Sequence, residues 1–209
     1  MVAIIDYDAG NIKSVEKAVN HLGEQAIITR DKDRILASDR IILPGVGAFG
    51  DAMEKIRRYG LEDVIRKAVD GGTPFLGICL GLQLIFESSE ESPGVKGLGL
   101  LPGKILRIPE APGLKIPHMG WNSIRISGHA GKQSGEEGKL FRGIEEDPYV
   151  YFVHSYYLQA EHEEDIAATC EYGGTLIHAA VEHENICACQ FHPEKSSSIG
   201  LTILKNFIR

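Results

Sequence analysis

The sequence contains no cluster of basic residues and carries an excess of acidic ones. It has 22 Lys and Arg residues against 29 Asp and Glu residues, which gives a formal net charge of -7. Proteins that bind nucleic acids neutralise the phosphate backbone with clustered Lys and Arg side chains. We therefore expect no nucleic-acid partner.

Long hydrophobic runs and abundant cysteines are also missing. The first apolar run, Val2 to Ile5, is too short for an export signal or a membrane span. We therefore expect no membrane association and a cytoplasmic location. The four cysteines should then be thiols rather than disulfides, because the cytoplasm is reducing.

Strand and helix patterns alternate through the first half of the chain. Apolar runs predict strands at Val2 to Ile5, Ala26 to Thr29, Arg40 to Leu43 and Phe75 to Ile78. Apolar residues at helical spacing predict helices from Val15 to Leu22, from Ala52 to Val69 with Asp51 as N-cap, and from Leu82 to Phe86. This alternation predicts a doubly wound α/β fold, with a mostly parallel central sheet flanked by helices.

Short strand candidates dominate after Pro102. They are Ile105 to Ile108, Ser123 to Ile126, Val150 to Val153, Ile166 to Cys170, Leu176 to Val181 and Ile186 to Phe191. We expect additional antiparallel strands in this half, an exposed loop from Ser127 to Lys139 and a final amphipathic helix from Ile199 to Ile208. A length of 209 residues, 43% of them hydrophobic, predicts a single domain over residues 1–209.

Cys79 has the sequence context of a catalytic nucleophile. It lies in Gly77-Ile78-Cys79-Leu80-Gly81, after an apolar strand and before a helical stretch. A nucleophile elbow needs small neighbours at this sharp turn, and the N-terminus of the following helix favours the thiolate. A buried structural cysteine is the alternative that the motif alone leaves open.

His192 and Glu194 follow another predicted strand, in Gln190-Phe191-His192-Pro193-Glu194. A histidine at the carboxyl end of such a strand points into the crevice where α/β sheets bind ligands. A carboxylate two residues further on can hold the imidazole in one tautomer and stabilise the imidazolium. A surface His/Glu pair is the alternative, but the order Cys, His, Glu favours an acyl-transfer triad.

The segment Pro44-Gly45-Val46-Gly47 follows the predicted strand Arg40 to Leu43. Its glycines would allow backbone N–H groups to approach a substrate oxyanion, although they also fit an ordinary turn. We expect the oxyanion hole to comprise Gly45, Val46, Gly47 and Leu80.

Histidines and cysteines near the C-terminus, His178, His183, Cys187 and Cys189, raise the question of a metal site. Cys187 and Cys189 alternate along one strand without the His spacing of a ligand set, so a buried strand is the better interpretation. We expect no metal ion and no organic cofactor.

Together these motifs resemble a known family. Gly77 to Gly81 with Gln83, joined to Phe191-His192-Pro193-Glu194, is similar to the class I (triad) glutamine amidotransferases over essentially the whole chain. Within that class, the segments 44–50 and 192–196, and above all Pro117-His118-Met119-Gly120-Trp121-Asn122, resemble the amidotransferase subunits of imidazole glycerol phosphate synthases. The resemblance implies the class I glutamine amidotransferase fold.

The resemblance also implies roles for individual residues. The catalytic triad would be Cys79, His192 and Glu194. Glutamine-binding positions are matched by Gln83 and Glu91 and, through the backbone, by His154, Ser155 and Tyr156. Positions near a partner subunit are matched by Asn11, Met119, Trp121 and Lys195. Without the resemblance, a single tryptophan such as Trp121 is more often a core residue than an interface residue, unless it is exposed.

The activity implied by the resemblance is divided between two proteins. This subunit would hydrolyse glutamine, and a separate cyclase subunit, with a (β/α)8 barrel fold, would use the ammonia to form imidazole glycerol phosphate and aminoimidazole carboxamide ribotide in histidine biosynthesis. The two would form a heterodimer. The alternatives are a subunit of another synthase, a non-catalytic scaffold of the same fold, or a hydrolase of γ-glutamyl or peptide bonds.

Overall fold

A computed structural model of the protein describes residues 1–127, 138–144 and 147–209. Residues 128–137 of the predicted loop from Ser127 to Lys139 therefore lie outside the described residues. The helices are α1 Ile12–His21, α2 Lys32–Leu36, α3 Phe49–Arg58, α4 Glu62–Asp70, α5 Leu80–Leu84 and α6 Ser197–Ile208. The strands of the first half are β1 Val2–Ile5, β2 Ala26–Thr29, β3 Arg40–Gly45, β4 Phe75–Cys79 and β5 Ser88–Ser89.

The strands of the second half are β6 Gly103–Arg107, β7 His118–Ser123, β8 Arg125–Ile126, β9 Tyr149–His154, β10 Tyr156–Ala160, β11 Ile166–Tyr172, β12 Thr175–His183 and β13 Ile186–Cys189. Short 3-10 turns occupy Glu163–Asp165 and Pro193–Lys195.

An eight-stranded sheet forms the centre of the molecule, in the order β2-β1-β3-β4-β13-β12-β11-β8. The strands β2, β1, β3, β4 and β13 run parallel to one another. The strands β12, β11 and β8 follow, each antiparallel to the strand before it. The predicted doubly wound, mostly parallel sheet with antiparallel strands in the C-terminal half is confirmed.

Helices cover both faces of this sheet, because its central strands are apolar on both sides. Along β1, Val2 and Ile4 pack into the cluster that contains α1 and α6, whereas Ala3 and Ile5 pack into the cluster that contains α2, α3 and α4. The two hydrophobic cores therefore sandwich the parallel strands. The prediction of one domain over residues 1–209 stays a prediction.

Two small sheets lie beside the central one. The first has the order β10-β6-β5, and the second pairs β7 with β9 in antiparallel register, with His118 opposite His154 and Ser123 opposite Tyr149. We call the second pair, β7 with β9, the hairpin wall, because it forms one side of the site described below.

The predicted helix from Ala52 to Val69 is wrong: it is two helices, α3 and α4. Gly60 has a φ of 62°, in the left-handed region that ends helices, and the chain turns there before α4 begins. The predicted N-cap is also wrong, since α3 begins at Phe49 after Ala48, and Asp51 lies inside the first turn.

Several other boundaries differ from the predictions. The predicted strand Ser123 to Ile126 is divided between β7 and β8, because the chain changes partners there: β7 pairs with β9, whereas β8 pairs with β11. The last sheet strand ends at Cys189 rather than Phe191, and α5 begins at Leu80 rather than Leu82. The elements α2, β5 and β10 were not predicted, and neither was the part of β7 before Ser123. No helix within the described residues is long and apolar enough to cross a membrane.

Candidate active site

Cys79 lies at a sharp turn between β4 and α5. Its φ of 54° is unusual for a residue with a side chain, and such a conformation persists only where the surroundings hold it. A Cβ on Gly81 would lie 1.8 Å from Leu43 O, and one on Gly77 would lie 2.8 Å from Gly81 O. The turn therefore requires glycine at both positions, and it presents the Cys79 side chain at the carboxyl edge of the parallel strands.

His192 and Glu194 lie just beyond the neighbouring strand, β13. His192 Nδ1 is 2.8 Å from Glu194 Oε1, and the two side chains are 1% and 0% exposed. The backbone is held as well, because the His192 N–H donates to Tyr151 O at 2.9 Å and Ser196 Oγ donates to His192 O at 2.6 Å. The histidine is thus fixed with its Nδ1 towards the carboxylate.

The electrostatics of His192 favour the imidazolium. Burial alone would lower the pKa of His192, but the neighbouring Cys79 sulfur and the Glu194 carboxylate outweigh it and raise the pKa to about 10. Although Cys79 lies close enough to act on this pKa, its sulfur does not reach hydrogen-bond geometry with His192 Nε2, which is buried without a partner among the described residues. The arrangement suits a thiolate facing an imidazolium.

A cavity of about 320 Å³ opens in front of Cys79. It brings together residues from both halves of the chain. Its lining comprises Val46, Gly47, Cys79, Leu80, Gln83, Glu91, Pro117, Val153, His154, Ser155 and Tyr156. All five predicted glutamine-binding residues and three of the four predicted oxyanion-hole residues are therefore in one cavity. The fourth, Gly45, is buried beneath it, where a Cβ would lie 2.9 Å from Leu80 Cβ.

Two polar side chains of the lining are held in place by the backbone around them. Glu91 Oε2 accepts from the Phe49 N–H at 2.7 Å, at the start of α3, where a carboxylate is favoured by the helix dipole. Gln83 Nε2 donates to Tyr156 O at 3.0 Å and so joins α5 to the far side of the cavity. Both side chains are therefore preorganised before any ligand binds.

Gln190 is a site residue that the sequence reasoning missed. It is 0% exposed, its Nε2 points to Cys79 Sγ at 3.8 Å, and its Oε1 accepts from Gln83 Nε2 at 3.2 Å. The one signal in the sequence was a glutamine inside the apolar run Ile186 to Phe191, because a polar side chain in a buried run needs a partner; the sequence does not say which partner.

The residues predicted near a partner divide into two groups. Met119 and Trp121 lie on one face of β7 and are 62% and 53% exposed, so Trp121 is not a core residue. The Trp121 ring contacts Tyr151 at 6.2 Å between centroids, and Lys195 Nζ lies 6.0 Å from the same Tyr151 ring. Tyr149, which is 61% exposed, lies on the same face of the hairpin wall as Met119 and Trp121.

Asn11 is placed differently. Its side chain is half buried, and its Nδ2 donates to Glu194 Oε1 at 2.6 Å. The oxygen that faces His192 therefore receives a second hydrogen bond, which holds the carboxylate in position. The structure brings Asn11 to the triad.

The four histidines and cysteines considered for a metal site have structural surroundings that explain them. His178 Nδ1 accepts from the Ala160 N–H at 3.0 Å, and His183 Nδ1 is 2.9 Å from Asp165 Oδ1. Cys187 and Cys189 lie on the same face of β13, in one hydrophobic cluster, as alternation predicts. Within the described residues no group of three or more His, Cys, Asp or Glu side chains is placed to hold a metal ion.

A second cavity, of about 960 Å³, lies at the opposite edge of the sheet. It is lined by Arg40, Pro74 and Asn185, which stand where β3, β4 and β13 begin, and by cationic side chains such as Arg142 and Lys205. The chemistry described above is confined to the smaller cavity, because Cys79 and His192 lie where these strands end.

The fold and the site define a class of enzyme. The class-I glutamine amidotransferase family matches residues 3–209, and the chain belongs to this family. Its fold is also that of a solved glutamine amidotransferase, with a TM-score of 0.74 at 21% identity over 100% of both chains. A solved structure of PurLQS from Thermotoga maritima has a TM-score of 0.74 at 20% identity, covering 99% of this chain and 96% of that one.

Closer relatives are similar over their whole length. The chain is 48% identical to the imidazole glycerol phosphate synthase subunit HisH of Methanothermobacter thermautotrophicus, covering 100% of this chain and 98% of that one. It is also 48% identical to the protein of the same name from Moorella thermoacetica, covering 99% of this chain and 93% of that one.

Proposed function

We propose that this chain is the glutaminase subunit of an imidazole glycerol phosphate synthase. The observation that carries the proposal is the cavity in front of Cys79, which collects the predicted glutamine-binding residues beside a buried His192/Glu194 pair. The full-length similarity to proteins named imidazole glycerol phosphate synthase subunit HisH supports the choice of synthase.

The reaction uses only groups of the chain and water. The Cys79 thiolate attacks the carboxamide carbon of glutamine, while backbone N–H groups of Leu80, Val46 and Gly47 stabilise the oxyanion. His192 donates a proton to the leaving nitrogen, so ammonia departs and a thioester remains. Water, deprotonated by His192, then attacks the thioester and releases glutamate and the Cys79 thiolate.

Positioning of the imidazole follows from its contacts. Glu194 holds His192 Nδ1, which leaves Nε2 for proton transfer to and from the reacting atoms. Asn11 holds Glu194 in turn, through the same carboxylate oxygen. In this proposal Cys79 and His192 are catalytic residues, whereas Glu194 and Asn11 position the base.

The size of the cavity supports glutamine as substrate. About 320 Å³ lies at the small end of the range for small-molecule sites, about 300–1,000 Å³. A cavity of this size suits one amino acid better than the groove that a peptide hydrolase needs. The Glu91 carboxylate would pair with the substrate ammonium, and the backbone of segment 154–156 would receive its carboxylate.

The hairpin wall provides the surface for the partner. Its exposed side carries Met119, Trp121, Tyr149 and Tyr151, with Lys195 beside them. Exposed aromatic and Met side chains are typical of the core of a protein interface. We assign this surface to the (β/α)8 cyclase subunit, which would form a heterodimer with this chain in the cytoplasm and receive the ammonia.

Reconstitution with the cyclase subunit tests the proposal. The mixture should form imidazole glycerol phosphate from the nucleotide substrate when glutamine is supplied. With Cys79→Ala in place of the native chain, glutamine should no longer support the reaction, but added ammonium salt should. The proposal fails if the native chain neither co-purifies with the cyclase subunit nor supports glutamine-dependent ring closure.

The same experiment with subunits of other synthases tests whether the chain serves one of them instead. The chain would be mixed separately with the synthase subunits that make anthranilate and guanylate, and glutamine-dependent product would be measured. Product formation with one of those subunits, and not with the cyclase, would assign the chain to that synthase instead.

A further inference from the structure

Two histidines form a buried pair behind the glutamine cavity. His118 on β7 faces His154 on β9, and His118 Nδ1 is 3.0 Å from His154 Nε2. His118 and His154 are 3% and 6% exposed, so neither ring is hydrated as it would be at the surface. His154 also lines the cavity, whereas His118 lies one layer further from it.

The hydrogen bonds around the pair allow a single arrangement of protons. His154 Nδ1 is 2.9 Å from Tyr156 O, and a carbonyl can only accept, so His154 Nδ1 carries the proton. In the neutral ring His154 Nε2 is then an acceptor, and His118 Nδ1 must donate to it. His118 Nε2 is left as an acceptor, and Asn122 Nδ2 stands 3.3 Å from it as the donor.

Asn122 is itself oriented by the backbone. Its Nδ2 also donates to Glu171 O at 3.1 Å, and its Oδ1 accepts from the Ser123 N–H at 2.9 Å. These contacts fix which atom of the amide is nitrogen, so Asn122 presents a donor to His118. The direction of the whole chain of hydrogen bonds, from Asn122 through both histidines to Tyr156 O, is therefore determined at its outer end.

Packing holds the His118 ring in the plane that these hydrogen bonds require. The ring is stacked between Phe152 and Tyr172, with centroid distances of 4.6 Å and 3.9 Å and interplanar angles of 21° and 20°. Tyr172 is held by its hydroxyl, which donates to Lys115 O at 2.7 Å. The ring cannot rotate away from its partners without losing both aromatic contacts.

Both histidines are neutral at physiological pH. Burial lowers the pKa of His118 to about 4 and that of His154 to about 3, and the nearby charge of His192 acts on His154 in the same direction. A cation at His154 would therefore compete with the imidazolium at His192, which the triad needs. The neutral pair leaves one imidazolium in the site.

We propose that His118 and Asn122 are positioning residues for glutamine binding, which act by holding His154 in its Nδ1–H tautomer and thereby fixing the Tyr156 carbonyl. This carbonyl accepts from both His154 Nδ1 and Gln83 Nε2, so its two lone pairs are used. The backbone of segment 154–156, which lines the cavity, is then held from two sides. The inference deepens the proposed function and rests on it.

Paired substitutions at His118 separate the donor from the ring. His118→Phe keeps an aromatic ring between Phe152 and Tyr172 but removes the donor, whereas His118→Asn keeps a donor close to the Nδ1 position. In the complex with the cyclase subunit, His118→Phe should raise KM for glutamine about tenfold with kcat changed less than about threefold, as expected for a lost hydrogen bond to a buried acceptor. His118→Asn should restore KM to within about threefold of the native value.

The tautomer is measured on the isolated full chain, by ¹H–¹⁵N spectra of histidine-labelled protein. The native spectrum should show both His118 and His154 protonated at Nδ1 only, and His118→Phe should add a population of His154 protonated at Nε2. Native His154 protonated at Nε2 would overturn the inference, and so would a KM for His118→Phe equal to that of the native protein. A native complex without glutaminase activity would contradict the proposed function while leaving the tautomer measurement readable.

Asn122→Ala provides a second route if His118→Phe does not fold. Asn122 is only half buried, and its loss leaves both rings in place. His118 should then populate both tautomers, and KM for glutamine should rise about threefold. A single Nδ1–H signal for His118 together with an unchanged KM would overturn the role of Asn122.

Discussion

The two walls of the cavity are held by different physical means. The wall that carries Cys79 is formed by the ends of β3, β4 and β13, and we call it the nucleophile wall. There the backbone is packed so closely that Gly77 and Gly81 have no room for a Cβ. The hairpin wall instead is held by hydrogen bonds between polar side chains, from Asn122 to Tyr156 O.

This difference predicts different responses to substitution. A substitution that adds an atom to closely packed backbone should have a large effect, because the atom cannot be accommodated without moving the strands. A substitution in a series of hydrogen bonds should have a smaller effect, since each bond contributes about 1 kcal/mol and a replacement donor restores part of that energy. We therefore expect large losses of activity or stability on the nucleophile wall and changes in substrate or partner affinity on the hairpin wall.

The largest expected effect is the loss of the nucleophile itself. Cys79→Ala should lower kcat for glutamine hydrolysis about 10⁵-fold or more, and His192→Ala should be comparable, because members of a triad act as a unit. Steady-state glutamate release in the complex measures it. Melting temperature and cyclase binding should stay unchanged, and hydrolysis within tenfold of the native rate would remove Cys79 from the mechanism.

Glu194→Gln should have the next largest effect. The amide can still contact His192, but without the charge kcat should fall about 10³- to 10⁴-fold, less than for Cys79→Ala. The charge also raises the pKa of His192, so this pKa should drop below its native value of about 10 in an NMR titration of the free protein.

The same shift has a consequence for stability. Because the folded pKa of His192 lies above its ordinary value of 6.5, its imidazolium stabilises the native state fully below pH 6.5 and loses that contribution as the pH rises to about 10. Glu194→Gln should lower the pH at which this contribution is lost, because it lowers the pKa of His192 in the folded protein. An unchanged His192 pKa in the variant would show that Glu194 does not stabilise the cation.

The third largest effect is expected where a substitution disrupts the packing of the nucleophile wall. In Gly81→Ala the added Cβ would lie 1.8 Å from Leu43 O, and we expect a loss of about 3 kcal/mol, or about 6–12 °C in melting temperature. Gly71→Ala is the matched control, since its nearest contact, Lys67 O, is 3.2 Å away. Equal melting temperatures for the two variants would contradict the account of the turn.

The smallest effect on stability is expected on the hairpin wall. Trp121 is 53% exposed, so Trp121→Ala should change the free energy of unfolding by no more than about 0.5 kcal/mol. Affinity for the cyclase subunit should fall by about 2 kcal/mol, about thirtyfold, as for an aromatic interface anchor. Calorimetric titration measures this, and native affinity in a folded variant would remove Trp121 from the interface.

The nucleophile wall was the more predictable of the two from the sequence. Apolar runs such as Phe75 to Ile78 are typical of strands buried on both faces, and glycines flanking Cys79 signal a turn that lacks room for side chains. The break at Gly60 was missed because apolar residues continue at helical spacing on both sides of it. Spacing reports which face is buried and does not report a change in helix direction.

The hairpin wall was less predictable because β7 reverses the usual pattern. Its exposed side carries Met119 and Trp121, and its buried side carries His118 and Asn122, so hydropathy alternation does not indicate a strand with an apolar inner face. Polar residues face inwards because they bond to each other, and such pairing between distant segments cannot be read from spacing. Gln190 was missed for the same reason, since its partners Gln83 and Cys79 are more than a hundred residues away.

Labelling with an electrophilic glutamine analogue tests the central claim most directly. Cys79 faces the cavity and His192, whereas burial raises the pKa of Cys170 to about 12 and also raises the pKa of Cys187 and Cys189. Peptide mass mapping after inactivation should find one label per chain, on Cys79, and glutamine should protect against it. Inactivation with the label on another cysteine, or without protection by glutamine, would contradict the assignment of Cys79 as the nucleophile of a glutamine site.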